Sequence, residues 1–187
     1  MKHILSYFFD ITLEKRQSAF SGEVVVALSH GQYKLSTQNA IYSYGDKYDN
    51  FANAFKQIDL NKVNDVLILG LGLASIPYIL ETIHQKTFNY TGVEIDDEVI
   101  YLASKYVIDE LKSEINVVNT DAYTFMCMDE NKYDLICMDV FVDDVIPEDL
   151  QSEDFLEMVK DSLSKDGLLI YNRLAFTDED KKGTDVF

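Results

Sequence analysis

From Asn61 onward the chain alternates short, continuously apolar runs with segments whose apolar residues recur every three or four positions. The runs Val66 to Leu69, Asn89 to Val93, Ile115 to Val118, Leu135 to Met138 and Leu168 to Tyr171 have strand length. Between them, Ile76 to His84, the stripe Val99, Ile100, Leu102, Ala103, Tyr106 and Val107, the short stretch Ala122 to Met126, and Phe155, Leu156, Val159 and Leu163 follow the helical period. Ser152 is placed to cap the last of these helices. Continuous apolar strands joined by helices predict a doubly wound, mostly parallel sheet covered on both faces.

The first part of the chain has a different rhythm. Glu23 to Leu28 and Tyr33 to Thr37 are β-type runs flanking Ser29-His30-Gly31-Gln32, which reads as a hairpin. Ile4 to Glu14 also has strand character, and from Asp46 a helix is expected with Tyr48, Phe51, Ala52 and Phe55 on one face. The expected organisation is therefore a small N-terminal antiparallel β-sheet over residues 1–45, followed by a Rossmann-like α/β domain over residues 46–187. Asp178 to Lys182 forms a charged stretch near the end.

Composition narrows the partners. Of 187 residues, 33 are acidic and 16 basic, a formal net charge of −17, which argues against a phosphate backbone as ligand and so against nucleic acid. An acidic surface suits cationic small molecules, and also serves solubility alone. No run approaches the roughly 18 apolar residues of a membrane span. The N-terminus, interrupted by Asp10 and Glu14, reads as structure and not as a signal peptide, so a cytoplasmic location is expected. Cys127 and Cys137 have no metal-site or disulfide spacing; both are expected reduced, and no metal is expected.

In an open parallel sheet, ligands bind beyond the carboxyl ends of the strands. The first of the five strands runs into Gly70 and Gly72, which permit close backbone approach to a ligand at the start of a helix. The second ends at Glu94, a carboxylate able to accept both hydrogens of a ribose diol. The third is followed by Asp121, able to accept from an exocyclic amine, and the fourth ends at Asp139. Each has an ordinary explanation: a tight turn, a surface acid leading Asp96, Asp97 and Glu98, a helix N-cap, or a solvated loop with Asp143 and Asp144. Their succession on consecutive strand ends is hard to obtain from core requirements, and it suits a nucleoside. A dinucleotide fingerprint would want a third small residue where Ser75 stands.

The pattern "LGLGLAS" followed by "VEID" and "DA" resembles the class I S-adenosylmethionine-dependent methyltransferase fold. Asp139 with Pro147 to Phe155, and the small sheet in front, make the chain similar to the spermidine synthase (polyamine aminopropyltransferase) branch of that superfamily. The resemblance covers most of the chain, loosely before Asn61 and better from Val66 to Asn172. It implies a transferase that binds S-adenosylmethionine or its decarboxylated form and passes an alkyl group, aminopropyl or methyl, to a small acceptor such as an amine. Gly70 and Gly72 would pass close to the donor, Glu94 would hold its ribose, and Asp121 and Ala122 would edge its adenine. Asp139 would meet the acceptor with Asp143 as a second catalytic acid, and Tyr48 would bind substrate.

The sequence departs from that family in three places. Leu73 stands where the family's Gly-Gly-Gly-Asp-Gly loop has an amine-binding acid, Val142 where its Asp-x-x-Asp has the second acid, and Tyr48-Asp49-Asn50 where it has Tyr-His-Glu. These departures keep two other readings open: a methyltransferase on an unknown acceptor, and a non-catalytic nucleoside-binding module. The class I fold adds a helix and two strands after the fifth strand, so C-terminal strands are expected to be missing or truncated, or the edge covered by a partner such as a second copy in a homodimer.

Overall fold

The computed structural model describes residues 2–38, 40–142 and 145–173. Two sheets form, and their elements follow the hydrophobic rhythm closely. Strands β1 (Ile11–Ser18), β2 (Gly22–Ser29), β3 (Gln32–Ser36) and β4 (Ile41–Ser43) pair in sequence order as an antiparallel sheet. The expected hairpin joins β2 to β3, with Ser29 paired to Gln32 and both His30 and Gly31 at positive φ, the geometry a two-residue turn of matching twist requires.

The strand expected from Ile4 does not begin until Ile11. Lys2–Leu5 forms a single helical turn, α1, instead. Ser6 explains the break: its hydroxyl donates to the His3 carbonyl and accepts from the Gly31 amide at 2.9 Å, while its own carbonyl accepts from the His30 amide at 2.7 Å. Those bonds pin the segment to the hairpin tip, a partnership set by tertiary structure that a β-type pattern cannot reveal. The helix expected from Asp46 also starts later, as α2 (Asp49–Ala54), after a 3₁₀ turn over Gly45–Lys47.

The second sheet contains β5 (Asp65–Leu69), β6 (Asn89–Glu94), β7 (Ile115–Asn119), β8 (Tyr133–Met138) and β9 (Leu163–Tyr171), all parallel, in the order β7-β6-β5-β8-β9. Helices α3 (Ser75–Thr82), α4 (Asp97–Tyr106), α5 (Ala122–Met128) and α6 (Glu153–Asp161) connect them. Ser152 caps α6 by accepting from the Phe155 amide, as its position suggests. Leu163, expected on that helix, instead opens β9, because the Ser162 carbonyl already accepts from the Tyr133 amide and starts the pairing with β8. The ladder then slips between Tyr133 and Leu135, opposite Asp166, which has positive φ, and Gly167.

Alternate residues of the central strands feed two cores. Val66, Ile68, Leu135 and Cys137 point to the side of α3 and α4, and Leu67, Leu69, Ile136 and Met138 to the side of α5 and α6. The first core does not stop at the parallel sheet. Val24, Val26 and Leu35 of the antiparallel sheet and Phe51 and Phe55 of the connecting segment belong to the same buried cluster. Ion pairs reinforce the join: Arg16 with Glu98 at 2.5 Å and Lys105 with Glu14 at 2.8 Å tie β1 to α4. No helix of the described residues is long and apolar enough to cross a membrane.

Phe51 is fully buried between the two sheets and stacks on Tyr48 at a ring-centroid distance of 5.9 Å. Phe51→Ala should lower the unfolding free energy by about 3–5 kcal/mol in a denaturant titration, the cost of an aromatic-sized cavity.

Candidate active site

β5 is the topological switch of the parallel sheet: the chain proceeds from it to β6 on one side and later returns to β8 on the other. A crevice opens at such a point beyond the carboxyl ends of the strands. Here it is a cavity of about 490 Å³, a volume suited to a small ligand. Its wall includes Gly70, Gly72, Glu94, Asp121, Ala122 and Asp139, together with Tyr48, so the residues singled out on successive strand ends do converge. Asp143, the remaining acid proposed from the sequence, lies outside the described residues.

The glycines are held by their surroundings. Gly70 has φ of 85°, and a β-carbon on it would collide with the Asp139 carbonyl, so the backbones of the two strand ends touch here. The Gly70 and Leu71 amides both donate to the Val93 carbonyl, and the Asp139 amide donates to Leu69. Gly72 has φ of 55° and packs against Tyr42 and Ser43 of β4. Ser43 and Ser75 share a 2.5 Å hydroxyl contact, and the Tyr44 amide donates to Ser75, which fixes the start of α3 against the antiparallel sheet. Leu73 does not face the cavity; it is buried in the first core.

Glu94 accepts the Gly72 amide on one oxygen and the Asp96 amide on the other, both at 3.1 Å. Burial raises its pKa, the neighbouring Asp96 adds to that, and the two amides oppose it. Asp96 is a connector: it caps α4 through the Glu98 amide and accepts the Ser18 hydroxyl, while Ser18 in turn accepts the amides of Phe20 and Ser21. That clasp brings the β1–β2 turn over the cavity, where Phe20 and Ser21 join the wall.

Asp121 is both the ordinary helix cap and a lining residue. It accepts the Thr124 amide at 2.8 Å, which with the Thr124 side chain holds its pKa below the usual carboxylate range, and it still borders the cavity beside Ala122.

Asp139 has the most distinctive environment. Its Oδ1 accepts the Tyr48 hydroxyl at 3.0 Å and the Asn172 amide at 2.8 Å. Burial pushes its pKa up to about 6, against the lowering effect of those two donors. Tyr48 is raised far above its ordinary value by burial and by the adjacent carboxylate, so it stays a protonated donor. Asn172, Asn50, Asp96, Asp149 and the Phe20-Ser21 turn were not singled out from the sequence as site residues, although all line the cavity. Asn172 follows β9 directly, so the strand-end rule applied to the fifth strand would have found it. No sequence signal marks the turn over the cavity. Among the described residues, no group of His, Cys, Asp or Glu is arranged to hold a metal ion; Cys127 is exposed and Cys137 buried, and both are free.

Comparison with known proteins gives a consistent set of likenesses. The sequence model of the spermine/spermidine synthase domain matches residues 55–179. A probable polyamine aminopropyl transferase of Bifidobacterium longum (strain NCC 2705) is 33% identical over 118 residues, which cover 63% of this chain and 26% of that protein. Two solved structures share the fold. A probable spermidine synthase from Corynebacterium glutamicum has a TM-score of 0.63 at 18% identity, over 84% of this chain and 61% of that one. A spermidine synthase in complex with the transition-state analogue AdoDATO has a TM-score of 0.62 at 19% identity, over 85% and 57%. The chain thus spans about a quarter of the length of the curated relative and under two thirds of each solved chain.

Two expectations follow from the geometry. Gly70→Ala must displace the Asp139 backbone and strain its own, so it should cost about 2 kcal/mol or more in stability. The second concerns Asp139, whose folded pKa of about 6 exceeds its ordinary 3.8. Between those values the folded protein keeps a proton that the unfolded chain releases, so stability falls as pH rises through the window. Asp139→Asn should therefore be more stable than wild type by up to about 3 kcal/mol at pH 7.5, with the difference falling below about 1 kcal/mol near pH 4 in paired thermal melts.

Proposed function

We propose, from the premise that this chain belongs to the spermine/spermidine synthase family, that it binds decarboxylated S-adenosylmethionine in the cavity and transfers the aminopropyl group to a small amine held at Asp139. The observation that carries this reading is the charge of the wall. Glu94, Asp96, Asp121, Asp139 and Asp149 line the cavity, and among its described lining residues there is no Lys, Arg or His. A donor bearing a free carboxylate would bring it to a wall of carboxylates with no cationic side chain among its described residues, an arrangement less favourable than for the donor without that group. The decarboxylated donor carries only positive charges and meets only carboxylates. The same argument disfavours methyl transfer from intact S-adenosylmethionine. The complex of a related spermidine synthase with AdoDATO supports the choice of a donor of this class.

In this reading Gly70 and Gly72 let the nucleoside lie against backbone, Glu94 accepts the ribose hydroxyls, and Asp121 beside Ala122 accepts from the adenine amine. The donor would supply a carbon made electrophilic by its sulfonium. Asp139 takes the proton that the acceptor ammonium must lose before its nitrogen can attack that carbon, and a pKa raised to about 6 suits it to that task better than an ordinary aspartate. Tyr48 keeps the carboxylate oriented. Leu73 and Val142 at two of the family's acidic positions leave fewer counter-charges for a diamine, so an acceptor with a single ammonium is favoured over putrescine.

Titration calorimetry is the first test. The decarboxylated donor should bind at least tenfold more tightly than S-adenosylmethionine, and Glu94→Ala should weaken it by about 1–3 kcal/mol. Tighter binding of intact S-adenosylmethionine would move the reading to methyl transfer, and binding of neither would remove the nucleoside function. An assay of methylthioadenosine release across a panel of mono- and diamines should then show turnover lost in Asp139→Asn. Putrescine turnover at roughly 1 per second or more would overturn the acceptor preference.

A further inference from the structure

Asp139 is not held by Tyr48 alone. Its second donor, the Asn172 side-chain amide, is itself held, because the Asn172 Oδ1 accepts from the Asn50 Nδ2 at 3.1 Å. Asn50 and Asn172 are 122 residues apart in sequence, one on α2 and one just after β9, and both border the cavity. Both donors to Asp139 fall on Oδ1, and Oδ2 receives no hydrogen bond from the described residues.

We infer that Asn172 is a positioning residue that fixes the Asp139 carboxylate with Oδ2 turned to the acceptor, and that Asn50 helps set which way the Asn172 amide points. The argument is one of donors and acceptors. An Asn side chain presents NH₂ on one side and C=O on the other, and the two ends are nearly equal in shape. If Asn172 turned over, its carbonyl would face the carboxylate, two acceptors in contact, and its NH₂ would face the NH₂ of Asn50, two donors in contact. The Asp139 carboxylate, which can only accept, disfavours the turned-over form, and Asn50, by donating to the Asn172 Oδ1, adds to that preference. The inference rests on the proposed role of Asp139 and adds a function for two neutral amides that the mechanism otherwise leaves unused.

The surroundings contain few rivals for this control. Tyr48 approaches from the N-terminal end of α2, and Cys137 lies two residues back on β8; burial pushes both above their ordinary values, so both are neutral. Arg173, next to Asn172, lies over the Tyr171 ring at 5.6 Å. Glu94, Asp96, Asp121 and Asp149 are the other acids among the described residues of the wall. The Asn172 donor is therefore one of two hydrogen bonds that favour the charged form of Asp139 against burial.

The test reads the carboxyl directly. Carbon-detected NMR of ¹³C-labelled aspartates in the ligand-free protein, from pH 4 to 9, gives the Asp139 titration midpoint without reference to activity. Asn172→Ala should raise that midpoint by at least about half a unit, since one charge-assisted donor is lost. Asn50→Asp should raise it further than Asn50→Ala, because an acceptor at position 50 makes the Asn172 amide turn over, whereas alanine leaves it free to keep donating. The near-isosteric Asn172→Asp, which preserves packing, should give the largest rise through like-charge repulsion. The acid limb of the kcat/KM profile should move by the same amount as the NMR midpoint in each variant. A midpoint unchanged in Asn172→Ala would overturn the inference, whatever the activity. Shifted midpoints in a protein that transfers no aminopropyl group would uphold the relay and overturn the proposed function instead.

Discussion

The structure turns on one close approach. At the switch between β5 and β8, the Gly70 backbone lies so near the Asp139 carbonyl that a side chain on Gly70 has no room. That contact sets the floor of the cavity and the exit direction of two strands at once. From it follow the left-handed turn into α3, the pairing of the Gly70 and Leu71 amides with Val93, and the projection of Asp139 into the crevice. A bulkier residue would separate β5 from β8 just where the ladder must close, so the site and the sheet share one steric requirement.

A second constraint is electrostatic. The protein as a whole is strongly acidic, and its cavity concentrates that charge where water is partly excluded. Glu94 and Asp139 are both pushed by burial toward their neutral forms, and backbone amides at the one and the Tyr48 and Asn172 side chains at the other hold them back. Carboxylates kept in that balance are costly to the folded state and ready to accept a cation or a proton. Burial of Asp139 gives up stability wherever the group is charged, a trade found where function needs an uncomfortable group.

The antiparallel sheet is part of the site and not an attachment to it. Its strands share a buried cluster with α3 and α4, Ser43 braces the start of α3, and the Ser18–Asp96 clasp carries the β1–β2 turn to the cavity rim. Asp96 joins that turn to Glu94 through its own backbone amide, so the turn and the Glu94 carboxylate are mechanically coupled.

The order of strands and helices from Val66 to Tyr171, the three-layer arrangement and the strand-end positions of Gly70, Glu94, Asp121 and Asp139 were all legible in the sequence, because a parallel sheet buried on both faces leaves an unbroken apolar signature and puts polar residues only where it ends. The resemblance to aminopropyltransferases rested on Asp139 with Pro147 to Phe155 and on the small sheet in front. What periodicity could not convey were contacts between segments far apart in sequence. The Ser6 turn replaced an expected strand because its partners are on a hairpin tip some two dozen residues later. Leu163 left a helix for a strand because Tyr133 was waiting for Ser162. The Asn50–Asn172–Asp139 relay joins the second helix to the last strand, and Phe20 reaches the cavity only through a serine and an aspartate nearly eighty residues apart. A hydrophobic pattern is a property of neighbours along the chain; a hydrogen bond between distant side chains exists only once the fold has brought them together.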